Sequence, residues 1–218
     1  MADFKINSAL CFSPEDLTRF MKYNAALNLP IDNTITNEIA AALIYRIAIE
    51  KELKWSGYYI YFEPRNDKQK ELLSTIDIPI RASNFVDFLS DNVEQSSLYD
   101  VYYVMKNGHS AAVRPVQIKR FGKGCPRENL AEQLIKYLET KIICKYPNNR
   151  GTLLIYMENA GELEPQKIVN WLNKDGFNFE ELCVCGLRED KTGWIIQLLP
   201  NRGEAGVVFA TKEEIFLV

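Results

Sequence analysis

The chain has 218 residues, 47% of them hydrophobic and 25% charged, which is enough to bury the core of one globular domain. Its formal net charge of −3 excludes a global basic field of the kind that attracts polyanions. Five cysteines without a CxxC pair, and a single histidine (His109), argue against a zinc centre and for free thiols in a reducing cytosol.

The N-terminal stretch MADFKINSALCFSPED lacks a long apolar run, so no secretory signal is expected. No apolar run approaches the length that crosses a bilayer, and the expectation is a cytoplasmic protein that does not enter a membrane. SPEDLTRFMKYNAAL begins with Ser13 as N-cap, Pro14 at the first helical position and Asp16 in the first turn, and predicts a helix. TITNEIAAALIYRIAIEKEL predicts a second. From Ile39 to Ile49 it is apolar except for Arg46, so it should be largely buried. GYYIYFEP reads as a strand, and a helix is expected around Lys68 to Leu73.

LYDVYYVMKNGHSAAVRPVQIKRFG holds two strand-like runs either side of Asn107-Gly108, a hairpin signal. RENLAEQLIKYLETKIICKY is helical, with Leu130, Leu134, Leu138 and Ile142 in one stripe. GTLLIYME is short and apolar enough for a central strand. EPQKIVNWLNKDG predicts a helix stopped by Gly176. ELCVCGL, GWIIQLLP and GVVFAT read as strands, with Cys183 and Cys185 sharing a face. The order is that of an α/β fold with a mixed sheet. It forms one domain, with an N-terminal helical element (1–33), a core (34–160) and a C-terminal helix and strands (161–218).

Charge is uneven along the chain. Between Lys119 and Lys145, seven cations (Lys119, Arg120, Lys123, Arg127, Lys136, Lys141, Lys145) meet three anions (Glu128, Glu132, Glu139). A local basic surface on an acidic protein is compatible with binding a nucleic-acid backbone. A solvated helix face has the same composition.

The hairpin carries the chemistry. With Asn107 and Gly108 as the central turn residues, Lys106 faces His109 and Asp100 falls opposite Pro115. Side-chain alternation then puts Asp100, Pro115, Gln117 and Lys119 on one face. Asp100 and Gln117 become diagonal neighbours with Cα atoms roughly 7–8 Å apart. Two oxygen donors at that span can hold Mg²⁺, which keeps several of its waters and needs few protein ligands. Lys119 on the same face can position a water or offset charge developing on a phosphoryl group. A bulge at Pro115, which cannot donate to the ladder, would turn Asp100 off that face.

These residues resemble the PD-(D/E)XK nuclease superfamily, whose pattern is an acid at the start of one strand, a hairpin, and (D/E)xK on the next. Asp100 matches the first acid, and QIK, Gln117 to Lys119, matches the second part in the glutamine form found in Mrr-like restriction enzymes. The resemblance implies a restriction-endonuclease-like core, a mixed β-sheet flanked by helices in the order αβββαβ. That core lies on Thr36 to Glu158, with an N-terminal helix and C-terminal strands added. It implies a Mg²⁺-dependent nuclease, with Mn²⁺ able to substitute, acting as endonuclease or exonuclease on nucleic acid, DNA first. A homodimer is compatible with it.

By the same resemblance Asp100, Gln117, Glu38 and the Ile118 carbonyl hold the metal, and Lys119 assists the attacking water. Arg120, Lys123 and Arg127 contact phosphates. Glu38 matches a glutamate that members of the family carry on the first core helix; a first-turn carboxylate is equally explained by the helix dipole. QLIKY supplies Gln133 and Tyr137, matching the QxxxY of the RecB-like branch, on one helical face. Three features depart from the pattern. Gln117 is neutral, SSLYD lacks the proline of the motif, and Asp87 and Asp91 compete for the acidic role. The alternative is a nuclease-like module without chemistry that binds nucleic acid or a protein partner, because fold does not decide activity.

Overall fold

The computed structural model describes residues 10–15, 17–19, 33–62, 99–107, 110–122, 128–146, 151–158, 163–173, 177–188, 192–200 and 205–216. The fold is mixed α/β. Eight strands form one sheet whose spatial order equals their order in the chain. They are β1 (Leu10–Phe12), β2 (Tyr58–Phe62), β3 (Val101–Asn107), β4 (Ser110–Phe121), β5 (Thr152–Met157), β6 (Glu181–Leu187), β7 (Gly193–Pro200) and β8 (Gly206–Thr211). β1 to β4 pair antiparallel, β4, β5 and β6 are parallel, and β7 and β8 return to antiparallel pairing. Parallel neighbours need a crossover. Helix α2 (Leu130–Tyr137), continued by π-helical turns over Leu138–Ile143, links β4 to β5, and α3 (Pro165–Leu172) links β5 to β6.

Helix α1 (Asn33–Glu52) owes its place to its composition. It is apolar on nearly every side, so it has to be enclosed rather than laid on a surface. Its residues Ile39, Ala41 to Tyr45 and Ile47 to Ile49 are buried. They pack in one core with Ile60 and Phe62 of β2, Val101 and Tyr103 of β3, and Val116 and Ile118 of β4. The same core takes in Ile196 of β7, Val208 of β8 and Ile215. One face of the sheet thus curls around α1. The opposite face carries a second core, in which Leu153, Ile155 and Val184 meet Leu130, Leu134, Leu138, Ile142 and Ile168 of the crossover helices.

Several polar groups bordering the first core are paired across elements. Arg114 donates to the Tyr45 hydroxyl at 2.6 Å and to Glu181 at 2.9 Å, and Tyr45 donates to Glu181 at 2.8 Å. This ties α1 to β4 and β6. Burial, then the Glu181 charge, holds the Tyr45 phenol far above its ordinary range. Arg46, the one charge in the apolar stretch, is buried and donates to the Glu214 carbonyl, 3.8 Å from the Glu50 carboxylate.

Two elements were not anticipated. β1 is a three-residue strand, too short to show alternation. Helix α4 (Lys212–Phe216) starts with a capping box in which Glu214 N–H donates to Thr211 Oγ1 at 3.2 Å and Thr211 N–H donates to Glu214 Oε2 at 2.8 Å. Residues 14, 15 and 17–19 are helical and follow Ser13 as expected. The helix expected around Lys68 to Leu73 lies outside the described residues, as does Gly176; α3 ends at Leu172. Cys183 and Cys185 share a face in the α1 core.

The hairpin register differs from the expectation. Asn107 pairs with Ser110 and Val101 with Val116, so Asn107 belongs to the β3 ladder and is not a central turn residue; Gly108 and His109 lie outside the described residues. A Gly-X pair is also accepted two-residue turn chemistry. Tyr102, not Asp100, faces Pro115, and the ladder runs through Pro115 in continuous register. The slip is two residues, an even number, so every side chain keeps its face.

Candidate functional site

β3 and β4 stop pairing at Val101 and Val116, while β4 continues beside β5 as far as Phe121. The β3-facing edge of β4 is therefore open from Gln117 onward among the described residues. Asp100, the residue before β3, fills the first position of that opening. Its amide donates to the Val116 carbonyl at 3.1 Å. Its carboxylate Oδ2 accepts from the Ile118 amide at 2.8 Å and from the Gln117 side-chain amide. A strand residue presents its N–H and C=O to the same side, so the Ile118 carbonyl also faces this edge. The Gln117 amide nitrogen lies 3.5 Å from it.

Val116 and Ile118 belong to the α1 core, so Gln117 and Lys119, which alternate with them, point to the face covered by α2 and α3. Asp100 and Gln117 stand directly across the strand pair rather than on a diagonal. Both are buried, at 7% and 1% exposure. Among the described residues Gln117 Oε1, which is buried, has no hydrogen-bond partner. An orphaned buried acceptor costs about 1–3 kcal/mol, so this atom is a poor choice for stability alone. The Lys119 ammonium lies 3.8 Å from Asp100 Oδ2.

The structure thus brings Asp100, Gln117, the Ile118 backbone and Lys119 to one edge. Tyr137 on α2 stands nearby, its ring 5.2 Å from that of Phe121, the last residue of β4 on the same face. Burial, with Tyr146 as second cause, raises its phenol above the ordinary value. Gln133 donates to the Glu128 carbonyl at 2.6 Å, bracing the first turn of its own helix.

Glu38 is half-buried near the start of α1, in the layer on the other face of the sheet. It could meet Asp100 only around the open strand end. Arg120 points away from Lys119 by strand alternation and pairs with Glu158 at 3.0 Å. Lys123, Arg127, Asp87 and Asp91 lie outside the described residues.

A residue that the sequence did not single out belongs here. Tyr146 is buried, and Lys119 Nζ sits 5.5 Å from its ring centroid. Its position follows the π-helical turns, which carry more residues per turn than an α-helix and so defeat a 3.6-residue projection from Leu130.

Among the described residues no group of three or more His, Cys, Asp or Glu side chains converges on a metal-sized space. A site of one carboxylate, one amide oxygen and one backbone carbonyl forms no such group. Those three are all hard oxygen donors of the kind Mg²⁺ and Mn²⁺ take; the Gln117 amide presents its nitrogen to Asp100 and to the Ile118 carbonyl, so a cation held by all three would require the amide to turn over and offer Oε1. No helix among the described residues is long and apolar enough to cross a membrane. No family model, no curated protein and no solved structure matches the chain.

Proposed function

We propose that this protein is a metal-dependent nuclease that hydrolyses phosphodiester bonds, with DNA as first substrate. One observation carries the reading: among the described residues, the buried Asp100 carboxylate and the buried Gln117 side chain, whose Oε1 has no hydrogen-bond partner, meet at a strand edge left open by β3, with the Lys119 ammonium 3.8 Å from Asp100. The order α1, β2, β3, β4, α2, β5 supports it further, because it is the αβββαβ order implied by the resemblance to PD-(D/E)XK nucleases.

Asp100, Gln117 and the Ile118 carbonyl would hold Mg²⁺, with Mn²⁺ able to replace it. Bound there, the cation supplies Lewis acidity toward a phosphoryl oxygen and lowers the pKa of a coordinated water. The chain's own groups do the rest. The Ile118 amide fixes the Asp100 carboxylate by hydrogen bonding. Lys119, held between that carboxylate and the Tyr146 ring, orients water and offsets negative charge developing at phosphorus.

The test is a cleavage assay on plasmid and single-stranded DNA with Mg²⁺, Mn²⁺ or EDTA, comparing the wild type with Lys119→Ala. Metal-dependent cleavage lost in the variant supports the reading. Binding without cleavage in the wild type moves the protein to the second reading, a nuclease-like binding module, which the neutral Gln117 in the acid's position favours.

A further inference from the structure

Lys119 is not the only cation on Tyr146. The Lys145 ammonium also lies 5.5 Å from the centroid of that ring. The ring is a fixed wall: Tyr146 is 4% exposed, packs into the core under the crossover helices, and stands 6.3 Å from the ring of Phe179. Lys145 itself is exposed. Attraction of an ammonium to the ring at an exposed position is worth only about 0.5–1 kcal/mol, so the ring alone does little to hold Lys145.

The surrounding acids offset only one of the two charges. Asp100 faces Lys119. Among the described residues no carboxylate lies within ion-pair distance of Lys145. On the same helical segment Glu132 reaches Lys167 at 3.2 Å and Glu139 accepts from the Trp171 indole at 2.8 Å, both on α3. Lys136, Lys141 and Lys145 are left exposed. The segment sorts its charges, with acids toward α3 and lysines toward solvent. Among the described residues, Lys145 is the member of the pair without a carboxylate partner.

We propose that Lys119 and Lys145, seated on the shared Tyr146 ring, form a subsite for one phosphodiester group of a nucleic-acid strand passing the open edge of β4. The proposal rests on the nuclease reading above. Each ammonium carries three donors and no acceptor, so the pair suits a phosphate and disfavours a cationic or neutral ligand. Lys145 is a binding residue, set back from Asp100. Its contact is made equally in ground and transition states, so losing it raises KM and leaves kcat in place.

The experiment uses the full chain and a fluorescein-labelled single-stranded oligonucleotide of mixed sequence, with anisotropy measured in EDTA across a salt series. For Lys145→Ala, binding weakens about tenfold at low salt and the slope of log affinity against log salt falls by about 0.7, the loss of one phosphate contact on a single strand. Lys145→Arg restores both. Melting temperature and calorimetric Mn²⁺ affinity stay at wild-type values in both variants, which separates a lost contact from a damaged fold. Unchanged affinity and slope in Lys145→Ala overturn the subsite. A wild type that binds Mn²⁺ but no oligonucleotide overturns it while leaving the metal site standing. A wild type that binds neither overturns the nuclease reading as well.

Discussion

The backbone amide of Ile118 donates to the carboxylate of Asp100 at 2.8 Å, in the place where a longer β3 would have offered a carbonyl. The acid is thus both the end of a ladder and the charge of the site, and substitutions can separate the two roles. Asp100→Asn keeps an acceptor for the amide and loses the charge. It should unfold in urea within about 1 kcal/mol of wild type, since the part-exposed Lys119 pair contributes little, yet lose Mn²⁺ binding. Asp100→Leu removes the acceptor and should cost about 1–3 kcal/mol for the stranded amide. Wild-type Mn²⁺ affinity in Asp100→Asn, measured by calorimetry, would remove the carboxylate from the metal site.

Gln117 offers the complementary test. Gln117→Glu adds a negative charge beside a bound cation and should tighten Mn²⁺ binding, about tenfold for 1.4 kcal/mol of added attraction. Without metal the same change sets two carboxylates across one strand pair and should lower the melting temperature. Gln117→Leu is comparable in size, keeps the strand and should abolish tight Mn²⁺ binding. Equal Mn²⁺ affinity in all three proteins, or none in any, counts against a metal site at this edge.

Gly151 sets the position of the acid from below. A Cβ there would stand 2.5 Å from the Tyr99 ring and 2.6 Å from the Pro115 carbonyl. Tyr99 immediately precedes Asp100, so Gly151→Ala should displace both, costing about 1–3 kcal/mol as overpacking does and weakening Mn²⁺ binding. Gly206→Ala, whose nearest neighbour would be 3.8 Å away at the far end of the sheet, serves as the control and should leave Mn²⁺ affinity unchanged. The two variants are compared by urea unfolding and calorimetry.

Much of this was legible because it depended on period and composition. Ile39 to Ile49 lacks a polar face, and α1 is accordingly enclosed. TLLIYM has no room for alternation, and β5 is a central parallel strand. The convergence of Asp100, Gln117 and Lys119 survived a wrong turn because faces depend only on whether a slip is odd or even. The register itself was not legible: Asn107-Gly108 and Gly108-His109 are both plausible two-residue turns, and the choice between them rests on long-range pairing. Tyr146 was hidden behind the π-helical turns, and Lys145, counted in the basic window, could not be placed beside its ring. The capping box of Thr211 and Glu214 was present as TKEE but adjoined a strand reading that absorbed its first residue.

That capping box gives a pH test. The Lys51 ammonium, 2.7 Å from Glu214, holds the Glu214 carboxyl below its ordinary range, with the Thr211 amide adding to the effect. A carboxyl lowered on folding contributes stability above its unfolded value, and that stability is lost as pH falls through the folded one. Glu214→Gln should therefore show a lower urea midpoint than wild type at neutral pH, and the gap should close in acid. A gap that stays constant down to acid pH assigns Glu214 a packing role only.

The enclosure of α1 has a consequence for how the chain is made. This helix leaves the ribosome before part of its wall, β7, β8 and Ile215, has been made. Until then its apolar sides face water or whatever binds them, a state prone to aggregation. β1 to β4 can pair as they appear, each strand beside its predecessor, but the helix they curl around cannot be sealed before β7 and β8 arrive. Losing even the last strand would leave a nascent intermediate rather than a smaller protein.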